Sequence, residues 1–147
     1  MIAPRLQFSV LCDEVVAKPD GKMVFWGVFG GLSAVMFPAV HPRMYCVNCW
    51  TGGSGEFQET VQLFSPDRSE VLVELQNAVI AANIFASVTN VYDLRGITFA
   101  HPGVYWMVIN LGRQPVLEYP LNVARVPPPE AGAVGGLPTS EGEGQGE

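Results

Sequence analysis

Apolar and polar side chains alternate at the start of the chain. Leu6, Phe8, Val10 and Cys12 fall on one side, and Arg5, Gln7 and Ser9 on the other. A period of two predicts a half-buried strand. Asp13-Glu14 ends the apolar face, and Pro19-Asp20-Gly21-Lys22 supplies turn chemistry: Pro presets one φ and Gly accepts a positive one. The next run, Met23 to Phe29, is apolar on both sides, with Trp26 and Gly27 in its middle. This predicts a central strand covered on both faces, or one that leaves the sheet at Gly30-Gly31. Residues 5–29 therefore read as a first hairpin.

Residues 31–42, with Pro38 and Pro42, read as a crossover connection rather than a regular element. Arg43 to Thr51 is a third strand built on Tyr45, Val47 and Trp50, and Gly52-Gly53-Ser54-Gly55 is a flexible hairpin turn. In the fourth strand, Glu56 to Phe64, residues Phe57, Val61 and Leu63 share one face, and Gln58, Thr60 and Gln62 the other. After a turn at Ser65-Pro66-Asp67-Arg68, Val71, Val73 and Leu75 alternate with Glu74 and Gln76. The stretch 77–94 fits two patterns. Ile80, Ile84, Val88 and Val91 make a helical stripe, whereas Ile84, Ala86 and Val88 against Ser87 and Thr89 make a strand. The β-branched content and the lack of a capping box favour a strand over about 84–92. Gly103 to Leu111 and Val116 to Ala124 form the last pair, turned at Gly112-Arg113-Gln114-Pro115, with Leu117, Tyr119, Leu121 and Val123 inward. Eight short strands separated by turn signals predict an all-β fold, an antiparallel β-sandwich or barrel over residues 5–125. Three prolines, Pro127 to Pro129, end strand pairing, so residues 1–126 form the domain. Residues 127–147, rich in Pro, Gly and Glu, are expected to be a disordered tail.

Composition changes this picture mainly at the surface. The 147 residues are 48% hydrophobic and 15% charged, so uncharged side chains must cover much of the exterior. The net charge is -6, but residues 1–126 hold eight basic and ten acidic side chains, and the other four acids are Glu130, Glu141, Glu143 and Glu147. The body is thus close to neutral, with no basic cluster for phosphates, and nucleic acid is not expected as a partner. No segment is long and apolar enough to span a bilayer. The first eleven residues lack the apolar core of a signal peptide. With three cysteines and no Asn-X-Ser/Thr sequon, a reducing, cytoplasmic setting is expected.

Two sets of motifs carry a resemblance. The step Gly103-Val104-Tyr105 is similar to the entry of the penultimate strand in immunoglobulin-like domains, where a Tyr bonds backbone over the sheet corner. Tyr105 would take that place. Met107 stands where antibody domains carry a Cys, so their inter-sheet disulfide is missing. Over residues 8–124, the motifs Leu11-Cys12-Asp13, Gly21-Lys22, Trp26-Gly27 and Phe99 with Gly103 and Tyr105 resemble a family of uncharacterised bacterial proteins. The resemblance implies a bacterial β-sandwich and no activity.

Candidate chemistry is thin. Cys46 and Cys49 have the C-x-x-C spacing, but no second ligand pair follows. Residues three apart on a strand face opposite sides, so buried small hydrophobes are expected, with no metal and no cofactor. His41 and His101 each precede Pro and are expected in loops. A hydrolase would need one of them oriented by a carboxylate such as Asp13 or Asp93, and no nucleophile motif accompanies them. Gly52-Gly53-Ser54-Gly55 lacks the Lys-Ser/Thr of a phosphate loop, and Gly27, Gly30 and Gly31 make no dinucleotide fingerprint. Asp13, Glu14 and Asp20 match no calcium-loop pattern and read as solvated strand-end charges. Among the aromatic residues, Trp26 and Trp106 lie in apolar runs and are expected in the core. Trp50, at a strand end, is the best candidate for an exposed contact, with Tyr45 beside it as a ligand-stacking pair. No catalytic residue is assigned. The expected role is a non-enzymatic protein–protein interaction or structural module, including self-association, acting through a sheet face or strand edge. A carbohydrate- or small-ligand-binding sandwich at Trp50 is the alternative, and a hydrolase using His41 or His101 the third reading.

Overall fold

The computed structural model describes residues 1–129. Nine strands follow in chain order: β1 (Arg5–Ala17), β2 (Met23–Phe29), β3 (Gly31–Ala34), β4 (Ala39–Thr51), β5 (Gly55–Phe64), β6 (Val71–Ala81), β7 (Ser87–Phe99), β8 (Gly103–Leu111) and β9 (Gln114–Arg125). They make a four-stranded sheet, ordered β2-β1-β4-β7, and a five-stranded sheet, ordered β3-β9-β8-β5-β6. Every hydrogen-bonded pair is antiparallel except β3 with β9. Among the described residues there is no helix, and so none long and apolar enough to cross a membrane.

The two sheets bury one apolar core. The first contributes Leu11, Met44, Cys46, Trp50, Leu94 and Phe99, and the second Val61, Leu63, Tyr105, Met107, Ile109 and Leu121. In β9 the inward Leu121 and Val123 follow the alternation read from the sequence. In β1 the irregularity between Leu6 and Phe8 changes the parity, so that Leu11 and not Cys12 joins the core, and in β4 Met44 and Cys46 face inward in place of Tyr45 and Val47. At the corner between β7 and β8, the Tyr105 hydroxyl donates to the His101 carbonyl at 2.7 Å. The Tyr105 ring meets Phe99 edge-on at 4.9 Å. The backbone bond expected of Tyr105 is therefore present.

Several expectations need correction. The crossover at 31–42 contains a strand, β3, paired in parallel with β9, and β4 already begins at Ala39. Four residues are too few to display a period, and the pairing uses backbone groups. Gly31 is required there because any β-carbon would press against the Asn122 carbonyl. Gly52 to Gly55 is not a hairpin turn, because β4 and β5 belong to different sheets. In the stretch 77–94 the favoured strand is present, but its bounds differ from 84–92: β6 continues to Ala81 because it pairs with β5 as far as Gly55, and β7 begins at Ser87 and runs to Phe99. His41 lies within β4, opposite Ile97, not in a loop. The expected tail lies outside the described residues from position 130 onward.

Candidate interaction edge

The N-terminal hairpin departs furthest from its sequence pattern. β1 pairs with β4 along its first half, from Arg5 to Cys12, and with β2 along its second half, from Leu11 to Ala17. Among the described residues β2 has no other neighbour in the sheet and is an edge strand. Phe8 sits opposite Cys49, and Phe25 opposite Val15, seven residues further along β1. On a straight strand that separation is roughly 23 Å, yet the Phe8 and Phe25 rings lie 6.0 Å apart. The distal half of the hairpin must therefore fold back over the outer face of the four-stranded sheet.

This fold-back accounts for a second buried layer. Cys12, Val47 and Cys49 are buried but do not belong to the shared core. They occupy the outer face, beneath the folded hairpin. The bend falls at Asp13 and Gly27, the level skipped in the pairing between Cys12–Val28 and Glu14–Trp26. Gly27 has a φ of 65°, a left-handed value that side chains disfavour. A β-carbon at Gly27 would also collide with the Asp13 carboxyl.

The fold-back leaves Trp26 and Val28 on the solvent side, each 58% exposed. Trp26 was expected in the core because its run is apolar throughout. An edge strand satisfies the same pattern while covering only one face. β2, Met-Val-Phe-Trp-Gly-Val-Phe, carries no charge and no proline, the devices that usually protect an edge from pairing with another chain.

The ligand-stacking pair expected from sequence does not form. Trp50 is 1% exposed and lies in the core. It occupies an inward position of β4, and its nearness to the glycine turn does not bring it out. Tyr45 faces the other side of the same strand, and the Arg43 guanidinium covers its ring at 5.0 Å. Arg43 is itself fixed by a two-pronged bond to Asp93, at 3.0 and 2.8 Å. Trp106 is half-buried, under the Arg68 guanidinium.

The two C-x-x-C thiols diverge as the strand period requires. Cys46 points inward, near the Ser9 and Tyr119 hydroxyls, which bond each other at 2.8 Å. Cys49 points outward toward Gln7. Burial pushes the Cys46 thiol up to about 12 and the Cys12 thiol upward as well, the opposite of what a reactive thiolate needs. Burial likewise raises the Tyr119 phenol. Among the described residues, no group of three or more His, Cys, Asp or Glu side chains is placed to hold a metal ion. His101 is exposed in its loop. The buried Nε2 of His41 has no hydrogen-bond partner, and Asp93 is engaged by Arg43 and Arg95. Among the described residues, neither histidine is oriented by a carboxylate. Asp13 lies against Gly27, while Asp20 accepts the Lys22 amide at the hairpin tip, so these acids do not converge.

One polar constellation escaped the sequence reading. Glu59 is fully buried. Its carboxyl accepts from Asn48 Nδ2 at 2.6 Å, Asn90 Nδ2 at 2.8 Å and the Tyr92 hydroxyl at 3.0 Å. Burial first, and this carboxyl second, push the Tyr92 phenol upward. The signal was in the strand period, because Glu59 shares the parity of Phe57, Val61 and Leu63. Its surroundings are closed, so the network joins β4, β5 and β7 and offers no surface to a substrate. A groove of about 430 Å³ lies between the β5–β6 and β7–β8 turns, with Leu72, Tyr105, Asp67 and His101 in its wall. Hydrogen bonds from Ser69 and then Ser65 hold the Asp67 carboxyl down at about 2.

No curated protein matches the chain. The model of DUF6941, a family of unknown function, matches residues 7–124, from inside β1 to inside β9, and the chain belongs to that family.

Proposed function

We propose that this protein is a non-enzymatic interaction or assembly module that docks a partner chain along β2. The observation that carries the reading is the exposure of Trp26 and Val28 on an uncharged edge strand. Unpaired backbone N–H and C=O groups along such an edge accept an added strand, and the exposed side chains supply the apolar contact. We also read the fold as an immunoglobulin-like sandwich. The order β9-β8-β5-β6 parallels the G-F-C-C′ order of variable-type domains, and β1-β4-β7 parallels A-B-E. The Tyr105 corner bond supports the same assignment. Function in such a scaffold resides in the surface it presents.

A photo-crosslinking amino acid at Trp26, compared with one at Thr89 on β7, tests the docking in cells. Discrete adducts are expected from position 26 and not from position 89. Adducts only from position 89, or none from either, would overturn the reading.

A further inference from the structure

We propose that the strand seated on β2 is β2 of a second copy, paired antiparallel about a two-fold axis at Val24. This rests on reading β2 as a docking edge, and it adds the identity and register of the partner.

The charges flanking the edge select the direction. Lys18 and Lys22 lie at the tip of the hairpin, and Asp13 and Glu14 at its bend. Among the described residues, none of these four side chains takes part in an ion pair. Asp20, the remaining tip charge, offsets one of the two lysines. The tip is therefore net basic and the bend net acidic. A parallel mate would set lysine beside lysine, whereas an antiparallel mate sets each basic tip beside an acidic bend, twice by symmetry.

The register follows from the same residues. With the axis at Val24, Lys22 lies opposite Trp26 of the second copy. Lys22, Val24 and Trp26 share one face by strand parity, and Glu14 is level with Trp26. Neighbouring strands are about 4.8 Å apart, so the Lys22 ammonium passes over the exposed indole and reaches the Glu14 carboxyl of the second copy. The indole attracts the cation and the carboxyl pairs with it. The bend at Gly27 ends the straight part of the edge, so the seam spans residues 22–26. A seam this short fits a reversible dimer rather than an obligate one.

Sedimentation of the full chain across a concentration range up to about 1 mM tests the proposal, because Kd of a weak dimer falls within that range. A monomer–dimer equilibrium is expected. Lys22→Glu and Glu14→Lys should each weaken it about tenfold, because each substitution acts at two symmetric places. The double variant, which exchanges the two charges, should return to within about threefold of the starting value. A chain that stays monomeric throughout overturns the proposal. So does a dimer indifferent to both single changes, or one that the double exchange does not restore. A monomer that still gives adducts at position 26 in cells would remove the second copy as partner and leave the docking edge standing.

Discussion

The two edges of the four-stranded sheet solve the same problem differently. β7 carries Asp93 between Arg43 and Arg95, at 2.8 and 3.0 Å. It is also tied inward: Asn90 and Tyr92 bond the buried Glu59 of the opposite sheet, and Asn90 donates to the Ala78 carbonyl of β6 at 3.1 Å. β2 has neither charge nor tie, and it is held by β1 and by the Phe8–Phe25 contact across the fold-back. A guarded edge anchored to the core cannot readily accept another strand. The open edge can, and its attachment through one small layer lets it move independently of the core.

The anchor at β7 is the place to break this comparison most severely. Glu59→Ala leaves the amides of Asn48 and Asn90 and the Tyr92 hydroxyl without their buried acceptor and opens a void. The expected cost is about 3–5 kcal/mol of global stability, measured by chemical denaturation. Amide exchange should accelerate in β4, β5 and β7 together, because the network joins them. Exchange confined to β7 would show that the carboxyl anchors only the edge.

The β2 edge is sharpened by a pair of glycines. Gly27 and Gly96 have φ values of 65° and 60°, one in each edge strand. A β-carbon at Gly96 meets nothing within 4 Å, whereas one at Gly27 collides with Asp13. Gly96→Ala should therefore cost only the left-handed penalty, about 1–2 kcal/mol. Gly27→Ala should cost more, and Asp13→Ala added to it should return the loss to the Gly96→Ala level. The readout specific to the fold-back is Cys12, whose modification by a maleimide should speed up in Gly27→Ala before the core unfolds. Equal costs at the two glycines would mean that Asp13 turns aside freely.

Much of the strand framework is legible in the sequence, the contrast between the two edges is not, and the difference has identifiable causes. Alternation located the long strands, and Tyr105 marked its corner, because a period of two and a tyrosine at a strand entry are local signals. The ends of β6 and β7 were not local, being set by pairing with β5 and β4. β3 was hidden because four backbone-paired residues need no pattern. Trp26 and Trp50 exchange places for two reasons. An apolar run says that a strand is covered without saying on how many faces, and a strand end beside glycines says nothing about which face its last residue takes. Glu59 stood at a core parity and was passed over because a carboxyl is seldom buried without partners, and those partners lie 11 to 33 positions away.

The smallest effect belongs to the guard on β7. The hydrogen bond from Arg43, and then that from Arg95, lower the Asp93 carboxyl below its ordinary range. The folded value lies below the unfolded one, so its contribution is complete above the ordinary aspartate value of about 3.9 and fades as pH falls through the lowered one. Asp67, held at about 2 by Ser69 and Ser65, follows the same sign, with its loss falling between about pH 4 and 2. Asp93→Asn should therefore lower the melting temperature slightly at pH 7, with the gap narrowing below about pH 4 and shrinking in high salt. The guard works by opposing an incoming strand, so its removal should register in association more than in melting. Sedimentation of Asp93→Asn combined with Arg95→Ser should show β7-dependent self-association even where Lys22→Glu has weakened pairing at β2. If that combined chain stays as monomeric as Lys22→Glu alone, the inward tie through Glu59 closes the β7 edge and the surface charges do not.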